Sequence, residues 1–368
     1  MDLIEEIFAR FDFQGEYVDY RVFGSGHINT TYIVRYGLPD GTVQEYIVQK
    51  INHNVFKNID SLMENIFSVT SFLRKKIKAY GGDENRETLH FIKTCDGRKY
   101  FTDAEGDYYR AYIFVRNSIS FDAVDSPELF KKSGIAFGKF QRLLADFPAD
   151  TLTETIPNFH NTAWRYEQEF LPAVSRDAAH RAENVQAEIA FVQKREADMH
   201  RLSDLAQAGR LPLRVTHNDT KLNNVIFDAD SEDAICVIDL DTVMPGLAHF
   251  DFGDSIRFGA NTAAEDEADL SKISLNLDYF KAYAEGFLSE AGESLNACEI
   301  ENLAFSAKLM TLECGMRFLT DYLNGDTYFK TEYPEHNLVR ARNQFALVAD
   351  MEEKMGQMEK MISAIISE

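Results

Sequence analysis

Apolar residues recur at helical spacing from the first turn of the chain. In MDLIEEIFARFDF, Leu3, Ile4, Ile7, Phe8 and Phe11 predict an amphipathic helix. The pattern then switches to extended runs. In YRVFGSGHINTTYIVRYGLPDGTVQEYIVQKIN two apolar runs flank Gly37-Leu38-Pro39-Asp40-Gly41, which is a turn by composition, so a β-hairpin is expected. Gly24 and Gly26 interrupt the end of the strand before it. NIDSLMENIFSVTSFLRKKIKAY returns to helical spacing: Asn58 or Asp60 can cap it, Leu62, Ile66, Val69 and Leu73 line one face, and Gly81-Gly82 ends it. Short strands around LHFIKTCDGRKYFTD and DYYRAYIFV complete a small mixed lobe that ends near residue 117. Beyond it the periodicity predicts helices at 128–146, 162–171, 178–209, 266–291, 297–324 and 335–366, with one non-helical island at 213–245. The expected architecture is α+β and bilobal, with a sheet-and-helix lobe at 1–117 and a mostly helical lobe at 118–368. In the last helix Val348, Met351, Met355, Met358, Ile362 and Ile365 form a stripe too short for a coiled coil, which is expected to pack on its own lobe.

Composition narrows the field of functions. Hydrophobic residues make up 45% of the 368 positions, enough for two packed interiors. A net charge of −22 argues against general binding to nucleic acid or anionic membranes. Cys95, Cys236, Cys298 and Cys314 are scattered, without metal-ligand or disulfide-framework spacing, so free thiols in a reducing compartment are expected. The first residues lack a basic segment and a small-residue cleavage site, and no apolar run reaches membrane-spanning length, so a cytoplasmic protein is expected.

The chemistry concentrates in the island, LRVTHNDTKLNNVIFDADSEDAICVIDLDTVMPG. His217-Asn218-Asp219-Thr220-Lys221-Leu222-Asn223-Asn224 fits H-x-D-x-x-x-x-N, the frame of a phosphoryl-transfer loop. In that frame Asp219 reaches the acceptor hydroxyl as catalytic base, Lys221 offsets charge on the transferred group, and Asn224 ligates magnesium. Two aspartates then compete for the second metal-ligand role. Asp239 ends the apolar run ICVID, 20 residues after Asp219, which is room for one short hairpin returning to the site. Asp251 opens a literal D-F-G, but it lies 32 residues on, past Pro245 and Gly246. Spacing selects Asp239. Asp251 and Asp254, in a turn entering a helix, are then expected to hydrogen-bond the catalytic loop or their own backbone. Upstream, Gly24 and Gly26 would let backbone N–H groups approach phosphates, and Lys50 at the end of YIVQK would pair with Glu64 on the next helix.

In this order, G-x-G-H-I-N, strand lysine, HNDTKLNN and VIDLDTVMPG, the chain resembles the aminoglycoside phosphotransferase and choline kinase-like superfamily, from about residue 20 to 330. HNDTKLNN, VIDLDTVMPG and DFGDSIRFGAN together look like the branch that phosphorylates N-acetylhexosamines at the anomeric hydroxyl. The resemblance implies a bilobal protein-kinase-like fold, ATP and Mg2+ as cofactors, and a small-molecule sugar acceptor. It implies Asp219 as base, Asn224 and Asp239 as metal ligands, and a sugar pocket of His27, Asp219, Asp239, Asp241, Arg317 and Tyr328. It places the nucleotide base near residues 112–117. Three other readings stand beside it. A kinase of another small alcohol, of choline, homoserine or aminoglycoside type, would share the ATP-side residues. A protein kinase is disfavoured by the frame of D-F-G and the lack of A-P-E. A non-catalytic binding protein is disfavoured because every catalytic position is filled.

Overall fold

A computed structural model describes residues 3–23, 30–53 and 56–367. The chain forms two compact units. The first comprises 1–119, 146–156 and 226–244, and the second 120–145, 157–225 and 245–368. The expected division at 117 lies close to the first of these boundaries, but two later segments return to the first unit.

The first unit starts with α1 (Leu3–Phe8), β1 (Glu16–Val22), β2 (Thr30–Gly37) and β3 (Val43–Ile51), followed by α2 (Ile59–Ala79). Four short strands complete it: β4 (Phe91–Ile92), β5 (Phe101–Thr102), β6 (Tyr108–Ile113) and β7 (Ser118–Ile119). The main sheet is antiparallel in the order β1-β2-β3-β6-β4, with β5 also on β6. Asp40 fixes the β2–β3 turn by accepting the Thr42 N–H at 2.9 Å. Alternation decides which side chains reach the core. Val34, Tyr36, Tyr46, Val48 and Tyr109 share one face and bury Ile7, Phe8 and Phe11 against it. Asn58, not Asp60, caps α2, accepting the Ser61 N–H at 3.0 Å; Asp60 instead takes the Tyr100 hydroxyl at 2.7 Å.

Buried Asn65 on α2 explains why the two later segments belong here. Its Nδ2 donates to the carbonyls of Thr153 (2.7 Å) and Val243 (3.0 Å), and its Oδ1 accepts the Thr153 N–H. Arg86 adds an ion pair to Asp228 at 2.7 Å. The strand Val225–Asp228 pairs with β7 on one side and with Ala234–Val237 on the other, so the island does contain the expected hairpin.

The second unit is helical: α3 (Pro127–Leu143), α4 (Thr162–Arg165), α5 (Leu171–Arg176), α6 (Gln186–Gln193), α7 (Glu196–Gln207), α8 (Ala248–Gly259), α9 (Leu277–Ala291), α10 (Ala297–Glu301), α11 (Leu303–Asn324) and α12 (His336–Ser367). Several expected helices are divided for local reasons. A π-turn at Tyr166–Phe170 joins α4 to α5 just before Pro172, whose missing N–H could not continue a regular ladder. The 178–209 stretch breaks between α6 and α7, where Arg195 makes a two-pronged ion pair with Glu352 at 2.7 and 3.0 Å. The 266–291 helix begins only at Leu277, because Asn276 caps it by accepting the N–H groups of Asp278 and Tyr279. α3 and α9 pack so closely that a Cβ on Gly286 would stand 2.1 Å from the Lys131 carbonyl oxygen.

The stripe on α12 buries Val348, Met351, Met358 and Ile362 within this unit. All four cysteines are free; Cys236 is buried and Cys95 exposed. Among the described residues no helix is long and apolar enough to cross a membrane.

His249, in the first turn of α8, is fully buried and donates from Nε2 to the Glu299 carbonyl at 2.9 Å, while its Nδ1 has no partner among the described residues. Burial holds this imidazole down at about 4. Between that value and the unfolded one the unfolded chain binds more protons, so stability falls as pH drops from about 6.5 toward 4. Urea denaturation at about pH 7.5 and about pH 5 should show a loss of about 2 kcal/mol in the native chain that His249→Gln lacks. An equal loss in both would remove His249 as the cause.

Candidate functional site

In the second unit a short strand, Arg214–Thr216, runs into the loop His217–Lys221 and a 3-10 turn at Leu222–Asn224. His217, Asn218 and Thr220 are buried while Asp219 and Lys221 are partly exposed, and Asn218 adopts a left-handed backbone with φ 65°. Such a turn leaves N–H groups without ladder partners, and Asp251 satisfies them. Its carboxylate accepts the N–H of His217 at 3.0 Å, the N–H of Asn218 at 2.8 Å and the Gln141 side chain at 2.7 Å. Burial pushes the Asp251 carboxyl up, against the pull of His217 and of these hydrogen bonds. The Thr220 hydroxyl donates to the Asp251 carbonyl at 2.7 Å, and Ser255 closes the circuit onto the Thr220 carbonyl at 2.9 Å.

The pinned loop gathers the three residues expected to act together. The Asp219 carboxylate meets the Lys221 ammonium at 2.8 Å. Asn224 Nδ2 donates to the Asp219 carbonyl at 2.8 Å and to its carboxylate at 3.2 Å. Burial opposes the Lys221 charge, but Asp219 and Asp254 outweigh it and raise the ammonium above its ordinary value.

D-F-G has a complete structural account. Asp251 clamps the loop. Phe252 is fully buried, edge-on to Phe280, Tyr283 and Phe287. Gly253 lets α11 approach, since a Cβ there would lie 2.5 Å from the Ser306 carbonyl oxygen. The segment is the body of α8, not a turn before it. Asp254 pairs with Arg257 at 2.7 Å.

In the first unit, Asp239 follows the hairpin strand with a left-handed backbone (φ 57°) and an exposed side chain. Asp241 is buried and ion-paired to Arg110 of β6, whose Nε donates to Gln49 at 3.1 Å. Arg110 is the residue that sequence reasoning missed. Its signal was a charge in the middle of the apolar strand YYRAYI.

The expected Lys50–Glu64 pair is not formed. Lys50 ion-pairs with Asp107 at 2.5 Å, and the exposed Glu64 pairs with Lys99. The reason is strand parity: Lys50 shares the face of Tyr46 and Val48, whereas Gln49 shares the face of Arg110. Gly24, Gly26 and His27 lie outside the described residues.

Arg317 and Tyr328, far from the loop in sequence, line one cavity of about 350 Å³ in the second unit. The Arg317 guanidinium lies over Phe159, Tyr328 and Phe329 at 5.3, 5.9 and 5.6 Å from the ring centroids. Arg165, Glu169, Arg176 and Asp321 also line this cavity. Both acids are already engaged: Glu169 by Arg165 at 2.6 Å, Asp321 by the N–H groups of Thr327, Tyr328 and Phe329. Arg176 and Arg317 have no ion pair within 4 Å among the described residues.

The model of the phosphotransferase enzyme family, APH, matches residues 19–287. The chain belongs to this family. The fold is that of APH kinases. A microcompartment-associated aminopropanol kinase superposes with a TM-score of 0.61 at 15% identity, covering 97% of this chain and 98% of its own. An aminoglycoside phosphotransferase from Alicyclobacillus acidocaldarius gives 0.60 at 13% identity, covering 98% and 96%. An amicoumacin kinase in complex with AMP-PNP, Ca2+ and amicoumacin gives 0.51 at 13% identity, covering 95% and 96%. At such identities the likeness speaks for the fold alone.

For an APH phosphotransferase the donor set fits a hard divalent cation. Asn224 gives its NH2 to the Asp219 carbonyl and carboxylate, and its Oδ1 is the oxygen of the side chain that a hard cation would take. Asp239 offers a carboxylate at a strand end. Magnesium takes one or two protein oxygens plus phosphates and water.

The clamp is testable by stability. Asp251→Asn sets an NH2 or a weaker acceptor against the loop N–H groups and should cost about 2–4 kcal/mol in urea denaturation. Gly253→Ala should cost about 1–3 kcal/mol by overlap with α11. Wild-type midpoints in both variants would contradict this account of D-F-G.

Proposed function

We propose that this phosphotransferase moves the γ-phosphoryl group of ATP to the anomeric hydroxyl of an N-acetylhexosamine (GlcNAc or GalNAc), giving the sugar 1-phosphate. The observation that carries the acceptor class is the charge of the cavity at Arg317 and Tyr328. Its lining sets Arg165, Arg176 and Arg317 against Glu169 and Asp321, so cationic side chains outnumber acidic ones there. A cationic acceptor of choline or aminoglycoside type would meet uncompensated positive charge there, whereas sugar hydroxyls and an acetamido carbonyl are acceptors for arginine donors. The volume is in the range of small-molecule sites, and the aromatic rings offer a face for a sugar ring.

In this reading Asp219 orients the O1 hydroxyl and takes its proton as the phosphoryl group departs. Lys221, paired with Asp219 at 2.8 Å, has a second anion to neutralise once phosphate arrives. Asn224 and Asp239 would hold magnesium, whose charge would offset that of the phosphates. Asp241, held by Arg110, would contribute to the sugar side together with His27. Gly24, Gly26 and Lys50 would serve the nucleotide. Phosphoryl transfer asks little covalent work of a protein, so positioning and charge neutralisation supply most of the rate.

Asp219→Ala should lower kcat by several orders of magnitude while ATP binding, read by calorimetry, is largely retained. Near-normal turnover would dismiss Asp219 as base. Arg317→Ala and Tyr328→Ala should raise the KM for sugar about tenfold or more and leave the KM for ATP unchanged. An ATP-consumption screen over hexoses, N-acetylhexosamines, choline and aminoglycosides, with phosphorus NMR on the product, tests the acceptor directly; phosphate at C6 would reject a 1-kinase.

A further inference from the structure

Asp251 holds the catalytic loop from one side; on another stands a buried pair. His160, just before α4, places Nδ1 2.8 Å from Glu313 Oε1 and Nε2 3.1 Å from the carbonyl oxygen of Asn218. The side chains are 6% and 1% exposed. The second Glu313 oxygen is occupied by the Thr162 hydroxyl at 2.6 Å. A carbonyl oxygen has no proton to give, and the Glu313 carboxylate, its other oxygen taking the Thr162 hydroxyl, feels the Arg165 and Arg317 charges, which favour its ionised form. Both partners of the ring are therefore acceptors. Each ring nitrogen must then donate, and only an imidazolium does so. A neutral ring would set a lone pair against an oxygen at one end.

We infer that His160, kept as an imidazolium by Glu313, is a positioning residue that fixes the Asn218–Asp219 peptide and so aims the Asp219 carboxylate. That peptide is held at both ends. Its carbonyl takes the His160 Nε2–H, and its N–H donates to His217 Nδ1 at 3.3 Å. The plane ends at the Cα from which the Asp219 side chain springs. Asn218 sits at a left-handed φ of 65°, and the two hydrogen bonds fix the orientation of the peptide that follows it.

The surrounding charges suit a fixed cation. Asp254 on α8 attracts the ring, and its own partners are Arg257 and Lys221. Arg165 and Arg317 bear on Glu313 from the cavity side. Since Arg317 is one turn beyond Glu313 on α11, the pair also lies between acceptor cavity and catalytic loop within the second unit.

The proposal rests on the reading of Asp219 as base, so its test has an arm independent of turnover. In chain labelled with 15N-histidine, long-range 1H–15N spectra at about pH 7.5 should show the His160 ring, assigned by its loss in His160→Ala, protonated at both nitrogens. Glu313→Gln should reduce it to one proton. Both His160→Ala and Glu313→Gln should lower kcat roughly ten- to hundredfold with the KM for ATP within about twofold. The double variant should be no worse than the poorer single one, because the two act as a unit. A singly protonated ring in the native chain, or kcat within about twofold of wild type in both variants, would overturn the proposal. The spectrum of the native chain decides even where a variant fails to fold. Turnover surviving in Asp219→Ala would remove the base assignment while leaving the imidazolium in place, so the two failures are distinct.

Discussion

The Asp251 carboxylate, buried in the first turns of α8, takes the N–H groups of His217 and Asn218 and the amide of Gln141. The loop it serves departs from any ladder, so these donors would otherwise be left unsatisfied in the interior at a cost of roughly 1–3 kcal/mol each. With them held, the left-handed Asn218 becomes tolerable, Asp219 emerges at a fixed point, and Lys221 and Asn224 close around its carboxylate. Phe252 and Gly253 in turn seat α8 against α9 and α11, so the clamp is anchored in the helical core of the unit. A tripeptide familiar as a metal ligand elsewhere is used here as the loop's foundation.

Charge is organised on two scales. The chain as a whole is strongly acidic at −22, which suits solubility and disfavours polyanionic partners. Within each unit, single cations are set against single acids. Lys221 stands beside Asp219, Arg110 is buried beside Asp241, and in the cavity lining arginines outnumber acids. Short-range, partly desolvated cations outweigh a distant screened field where a phosphate or a hydroxyl-rich acceptor must be held.

Much was legible in the sequence where the signal was local. The β2–β3 hairpin follows from its turn residues, α2 from its apolar stripe and Asn cap, and the island hairpin from two short runs around a polar turn. The division into a mixed lobe and a helical lobe follows from their order, and the kinase-like class from the resemblance that the motifs carry. Misjudged features depended on contacts absent from the local pattern. The helix expected at 266 starts at 277, where Asn276 caps it, because the segment before it is used instead in a bridge and hydrogen bonds to 260–262. Lys50 and Glu64 look like partners in spacing, yet strand parity turns Lys50 toward Asp107. Arg110 was unremarked because its meaning depends on Asp241, 131 residues away.

The sequence by itself determined the element types, the H-x-D-x-x-x-x-N frame and the preference for Asp239 over Asp251, because each is a matter of short-range spacing along the backbone. Only the tertiary structure decided that the hairpin bearing Asp239 folds with the first unit, through Asn65, Arg86 and Arg110. It also decided that Arg317 and Tyr328 share a cavity whose arginines outnumber its acids, and that His160 and Glu313 meet behind Asn218. These are pairings between residues tens to hundreds of positions apart. Their geometry is set by how buried polar groups find partners once the apolar faces have packed, and no periodicity in the chain encodes it.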